Sequence, residues 1–256
     1  MIDTKYTYAV ARIRALETAL FTSATLDQLM ACQTEEQCLQ LLQEKGWGGA
    51  DTPVNAEAIL TREQEKIWEN IKDLGVDMSV FDVLSYPNMF HNLKAAIKDV
   101  CTEENGKTMN IYYDDTAVSP DEMLEIVRSK DFSRLPKYMA GAAKEAYETL
   151  LHTRDGQLCD VIVDKAALEA IYAAGKEAKD SIIKDYAEST VAIADIKIAV
   201  RSQKTAKNMD FMKRAMVECE SLSVAQLSKA AVNGIDAIVE YLSGTAYAEG
   251  GKAIAE

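Results

Sequence analysis

The sequence predicts an all-α protein made of three similar helical bundles, and three observations carry that prediction. Apolar residues recur at helical spacing along nearly the whole chain. Helix start signals, a Ser or Thr followed three residues later by Glu or Gln, punctuate it. A short phrase returns three times, each time within the opening helix of a new segment: Arg12-Ile13-Arg14-Ala15, Asn92-Leu93-Lys94-Ala95 and Asp195-Ile196-Lys197-Ile198. A recurrence of roughly 80 to 100 residues is longer than solenoid repeats use, so it indicates three related subdomains in one body. The boundaries follow as 1–87, 88–185 and 186–256.

In the first segment Tyr6, Val10, Ile13, Leu16 and Leu20 are spaced to share one helix face, with Arg12 and Arg14 flanking the stripe. A short helix is expected around Leu26 to Met30. Another opens at Thr34, with Gln37 completing a capping box, and runs through Cys38, Leu41 and Leu42 to Gly46-Trp47-Gly48-Gly49. A longer helix, about Ala56 to Leu74, carries a second box at Thr61 and Gln64 and the apolar marks Ile59, Ile67, Trp68 and Ile71, and Gly75 is its stop signal. Pro87 biases Tyr86 away from helical angles, which places the first boundary there.

The second segment inserts a polar loop, Thr102 to Gly106, and a stretch Met109 to Tyr113 with the character of a short strand. Helix resumes at Ser119-Pro120-Asp121-Glu122, where a capping Ser, a Pro at the first helical position and a Glu at the third coincide. The third segment begins near Tyr186. Its first helix holds Val191, Ile193, Ile196, Ile198 and Val200, apolar almost all round, and is expected to be the most enclosed of the three. The chain stops where, in the first segment, the long helix begins. The expectation is therefore a fragment whose third bundle lacks its final helix, leaving Ile235, Ile238 and Leu242 exposed and prone to self-association.

Composition narrows the function. With 28 Lys and Arg against 41 Asp and Glu, the net charge of −13 disfavours a chain whose task is to coat nucleic acid or an anionic bilayer. The five cysteines, 32, 38, 101, 159 and 219, form no Cys-x-x-Cys pair and read as reduced cytosolic thiols. No apolar run is long enough to span a membrane. His91 and His152 have no metal-ligand spacing, and neither a nucleophile elbow nor a phosphate-binding loop is present, so no catalytic, cofactor or metal residue is assigned. His91 and Asn92, at an expected helix start, read as packing or hydrogen-bonding residues, and Cys32 and Cys38 as small buried side chains.

The segments Tyr6-x-Tyr8-x-x-Ala11-Arg12-Ile13-Arg14-Ala15-Leu16-Glu17, His91-Asn92-Leu93-Lys94 and Tyr241-Leu242-Ser243-Gly244-Thr245-Ala246-Tyr247 resemble the C-type subunits of the V/A-type rotary ATPases, the counterparts of the vacuolar d-type subunits. The resemblance covers the whole chain. It implies a funnel of three bundles around a pseudo-threefold axis, peripheral to the inner face of the plasma membrane in the cytoplasm. Such a funnel sits on the membrane rotor ring and receives the central axle with its small companion subunit. It does no chemistry of its own and takes no cofactor. Arg14, Lys94 and Lys197 hold the matched third position of the three phrases and are the candidate partner-binding residues, able to ring one opening and meet acidic groups. As an alternative, each would merely cover the core edge with its stem and pair with a nearby carboxylate. At the level of the whole chain, the competing reading is a free-standing helical scaffold for peptides.

Overall fold

The structure, a computed structural model, describes residues 6–102 and 111–255. Among these every regular element is helical. The chain parts into two compact units, Met1–Ser79 and Val80–Glu256.

The first unit holds α1 (Thr7–Glu17), α2 (Ser23–Met30), α3 (Glu35–Glu44) and α4 (Ala56–Asp73). Thr34 caps α3 as expected, its hydroxyl accepting from the Gln37 N–H at 3.3 Å, while the Gln37 side chain accepts from the Gln33 N–H at 2.9 Å. The start of α4 corrects the sequence reading. Asn55 is its cap, accepting from the Ala58 N–H at 2.8 Å, and Thr61 lies inside the helix, so the Thr61–Gln64 box is not used. Both sites fit the capping pattern, and Asn55, in extended backbone, is the one used, since the helix it opens carries Ile59 into full burial. The far end behaves as expected: α4 stops at Asp73, and Gly75 takes the left-handed conformation at φ 65°.

The second unit opens with a 3₁₀ turn (Met78–Phe81), followed by α5 (Asp82–Thr102), α6 (Pro120–Ser129), α7 (Lys137–Thr153), α8 (Gly156–Glu177), α9 (Ser181–Lys204), α10 (Met209–Ala215), α11 (Val224–Asn233), α12 (Ile235–Ser243) and α13 (Ala248–Ala255). Pro87 sits within α5 instead of ending a segment. It forgoes the bond to the Val83 carbonyl. Packing compensates: Met89, Phe90 and Leu93 just beyond it are buried, and Tyr86 stacks on Tyr138 with ring centroids 4.7 Å apart. The break in the helical run thus falls before Asp82, and the compact units divide between Ser79 and Val80. Residues 103–110 lie outside the described structure and include most of the expected polar loop and the start of the expected strand. Residues 111–113 form no strand. They belong to a connection held by side chains of α5.

Two large hydrophobic clusters fill this unit, with a smaller one of Val83, Ile171 and Ala187 where α5, α8 and α9 meet. Of the large clusters, one runs from Met89 to Ala170 and joins α5, α6, α7 and α8; the other runs from Ala192 to Leu242 and joins α9 through α12. The expectation that the third long helix is the most enclosed is overturned. α5 buries Met89, Phe90, Leu93 and Ile97, whereas α9 buries alanines, Val191, Asp195 and Ser202, and its Ile193 is exposed. The alanines permit close approach. At Gly175 of α8 an added Cβ would collide with the Ala187 Cβ of α9, so the two helices cross with almost no side chain between them. The expected exposure of Ile235, Ile238 and Leu242 is also overturned: Ile238 and Leu242 are fully buried in the second cluster, Ile235 is partly buried against it, and α13 packs on α12 beside them.

Candidate functional site

The three phrases fall on α1, α5 and α9, and their third positions meet different surroundings. Arg14 is open to solvent, its side chain 75% exposed, and pairs with Glu17 one turn on at 2.7 Å. Lys94 is mostly covered. Its ammonium reaches Asp164 of α8 at 2.7 Å, and one turn further Lys98 reaches Asp160 at the same distance, so α5 and α8 are laced by two ion pairs. Lys197 is exposed and makes no ion pair among the described residues. No carboxylate is shared between any two of the three. Lys94 and Lys197 stand on helices that both pack against α8, and Arg14 belongs to the first unit.

The first position of each phrase is the more informative, and sequence reasoning singled out only Asn92 there, as a packing or hydrogen-bonding residue. Arg12 donates to Tyr8 Oη at 3.0 Å, to Asn70 Oδ1 at 3.0 Å and to Asp73 Oδ2 at 3.2 Å, tying α1 to the end of α4. Asn92 is fully buried and grips the connection ahead of α6. Its Nδ2 donates to the Tyr113 carbonyl at 2.8 Å and to Thr116 Oγ1 at 3.1 Å, while its Oδ1 accepts from the Tyr113 N–H at 2.9 Å. Asp195, also buried, accepts from the Val217 N–H at 3.2 Å in the connection ahead of α11. Asn92 and Asp195 thus act alike, holding backbone 21 and 22 residues downstream. Behind each clamp comes a helix capped by Ser: Ser119 accepts from the Glu122 N–H at 3.3 Å and Ser223 from the Gln226 N–H at 3.4 Å. The available signal was a polar residue interrupting an apolar stripe.

Other singled-out residues serve structure. His91 lies mid-helix, not at a helix start. It bonds the Ile111 carbonyl at 2.9 Å and meets Tyr113 edge-on. All five cysteines are free. Cys159 is buried and the other four are partly exposed, Cys32 and Cys38 turning their thiols to the Gln28 and Leu29 carbonyls. Among the described residues no cluster of His, Cys, Asp and Glu is arranged to hold a metal, and no helix is long and apolar enough to cross a membrane.

Chemically, the arrangement offers clamps and exposed cations on a helical body. No curated protein and no solved structure matches the chain. One protein family does, described as ATP synthase (C/AC39) subunit, and the match runs over residues 9–256. That span takes in all three phrases and both clamped connections, and it agrees with the all-helical fold. The chain therefore belongs to the ATP synthase (C/AC39) subunit family, a subunit family of the V/A-type ATPases.

Proposed function

We propose that this chain is the non-catalytic central-stalk subunit of a V/A-type rotary ATPase. It couples the axle of the soluble ATPase sector to the membrane rotor ring during ATP-driven ion transport or ATP synthesis. The family match over residues 9–256 carries the reading. The recurrence of phrase, clamp and Ser-capped helix in the second and third segments supports it, because repetition suits a body that surrounds an axle. On this reading the three bundles, 1–87, 88–185 and 186–256, form a funnel on the cytoplasmic side of the membrane. One mouth takes the axle with its small companion subunit, and the other face meets the ring. No cofactor takes part.

Within that role Arg14, Lys94 and Lys197 are the cations offered to acidic groups of the partners. Lys94 is mostly covered and holds Asp164, whereas Arg14, though paired with Glu17, is open to solvent, so Arg14 and Lys197 are the more available pair. Electrostatic complementarity of this kind chiefly sets orientation and association rate. The test is co-purification of the full chain with the axle subunit and its small companion from the same genome. A stable ternary complex is the expected result. A folded chain that binds neither subunit would turn the reading towards a peptide-binding scaffold. Arg14→Glu with Lys197→Glu should weaken that complex while leaving thermal unfolding nearly unchanged, and equal loss of both would return these residues to a purely structural role.

A further inference from the structure

Two carboxylates of α9 reach the connection between α10 and α11, and they are treated very differently. Glu188 is surrounded by donors: the Ser221 N–H at 2.7 Å, the Glu220 N–H at 3.2 Å and the Ser221 hydroxyl. Burial alone would raise its pKa, but these bonds outweigh burial and hold the carboxyl below the usual range. Asp195, two turns on, is more deeply enclosed and among the described residues has a single donor, the Val217 N–H on Oδ1, while its Oδ2 is buried with no hydrogen-bond partner among them. An ionised carboxylate with one oxygen bare in the interior is costly. Asn92, at the matching position of α5, solves the same problem with a donor: its Nδ2 gives a hydrogen to the carbonyl of the residue whose N–H it accepts.

We propose that Asp195 is a protonated clamp, using a carboxyl hydrogen where Asn92 uses an amide hydrogen, so that loss of the proton loosens the Met216–Glu218 segment from α9. The Oδ2 hydrogen takes the place of the Asn92 Nδ2 hydrogen, so that the interior holds a neutral hydroxyl where an ionised oxygen would have no donor. The surroundings favour the neutral form. Of the elements packed on α9, α8 presents Lys165, which is shared with Glu169 at 3.9 Å, and the connection presents Glu218, which opposes a second negative charge. Cys219 in the same connection turns its thiol to Ser221 and Leu222. The buried residues of α10, α11 and α12 include Met212, Leu227, Ala231, Ile238 and Leu242, none titratable, and the charged Asp210, Lys213, Arg214, Lys229, Asp236 and Glu240 are exposed. Burial, the main cause, pushes the Asp195 carboxyl up to about 7, with the Val217 bond pulling the other way.

Once the segment opens, Asp195 returns to an ordinary carboxyl titrating at about 4. Between that value and the raised one, the closed state holds a proton that the open state releases, so opening becomes easier as pH rises and levels off above the raised value. The device rests on the geometry at Asp195 and does not depend on the coupling role.

The experiment is carbon-detected NMR of the Asp195 carboxyl in the full chain, with amide exchange at Met216 to Glu218 measured in parallel. A carboxyl midpoint near neutrality is expected, and a midpoint near 4 overturns the proposal. Protection of the Val217 amide, corrected for intrinsic exchange, should fall on the order of tenfold between pH 5.5 and 7.5. In Asp195→Asn, which supplies a permanent donor, protection should stay flat across that range. A parallel fall in the variant would assign the effect to another group and overturn the clamp. Should the variant fail to fold, the carboxyl midpoint of the unaltered chain still decides.

Discussion

In the unit Val80–Glu256 large apolar side chains do most of the stabilising, with Met89, Phe90, Leu93, Ile97, Met123, Ile126 and Leu227 all removed from water. In the unit Met1–Ser79 only Ala9, Leu39 and Ile59 are buried among the described apolar residues, and Tyr8, Val10, Leu16, Leu20, Leu26, Met30, Leu60 and Ile67 face solvent. Polar and aromatic ties take over there. Phe21 stacks on Trp47 at 4.7 Å, Glu63 accepts from the Gly48 N–H at 2.7 Å, Lys66 reaches the Gly46 carbonyl at 3.2 Å, and Arg12 bridges α1 to α4. Such ties fix geometry, but each exposed ion pair contributes only about 0 to 1 kcal/mol, against about 1.5 to 3 kcal/mol for a fully buried large side chain. One family match therefore spans two ways of being folded: a body stable on its own core, and a unit whose apolar faces remain to be covered.

The largest expected effect separates the units directly. Leu93→Ala should destabilise the second unit by about 2 to 5 kcal/mol in chemical denaturation, whereas Leu20→Ala should stay within about 0.5 kcal/mol. Comparable losses would erase the contrast between them. Next, Gly175→Ala should destabilise by about 1 to 3 kcal/mol through its collision with Ala187, even though Ala favours helix by about 1 kcal/mol. A stabilised variant would show that the α8–α9 crossing can open without loss.

Cap deletions come third, at about 1 kcal/mol each. Ser223→Ala should leave the second unit intact, while Thr34→Ala should make the first unit cleave sooner under limited proteolysis, because less burial stands behind that helix. The smallest effect is the most pointed. Ile13→Ser should scarcely change the melting of the free chain, yet weaken the complex with the axle subunits if a partner covers α1; unchanged binding would remove α1 from the interface.

What the sequence disclosed was what is decided locally. The caps at Thr34 and Ser119, the stop at Gly75 and the all-helical character depend on residues within a turn or two, and all were legible. Pro87 and Ile193 were misjudged because tertiary contacts overrode local preference: a buried aromatic neighbourhood carries α5 through a proline, and a glycine–alanine crossing turns an isoleucine of α9 outward. Of the candidate residues, the cations were visible as a recurrence, but Asn92 and Asp195 were not recognised as clamps. Their partners lie 21 and 22 residues away on backbone groups, which have no sequence signature of their own.

The clamps also fix how each long helix is turned about its own axis. One residue of slippage rotates an α-helix by about 100°. For α5 or α9 such a turn would strand Asn92 or Asp195 away from its connection and swing its neighbour in the sequence towards the interior. An apolar stripe alone tolerates neighbouring rotations, since one leucine replaces another with little loss. A single polar atom that must meet a single backbone group does not. These side chains therefore act as keys of orientation, and through them the outward face of α9, with Lys197 on it, is determined from inside the bundle.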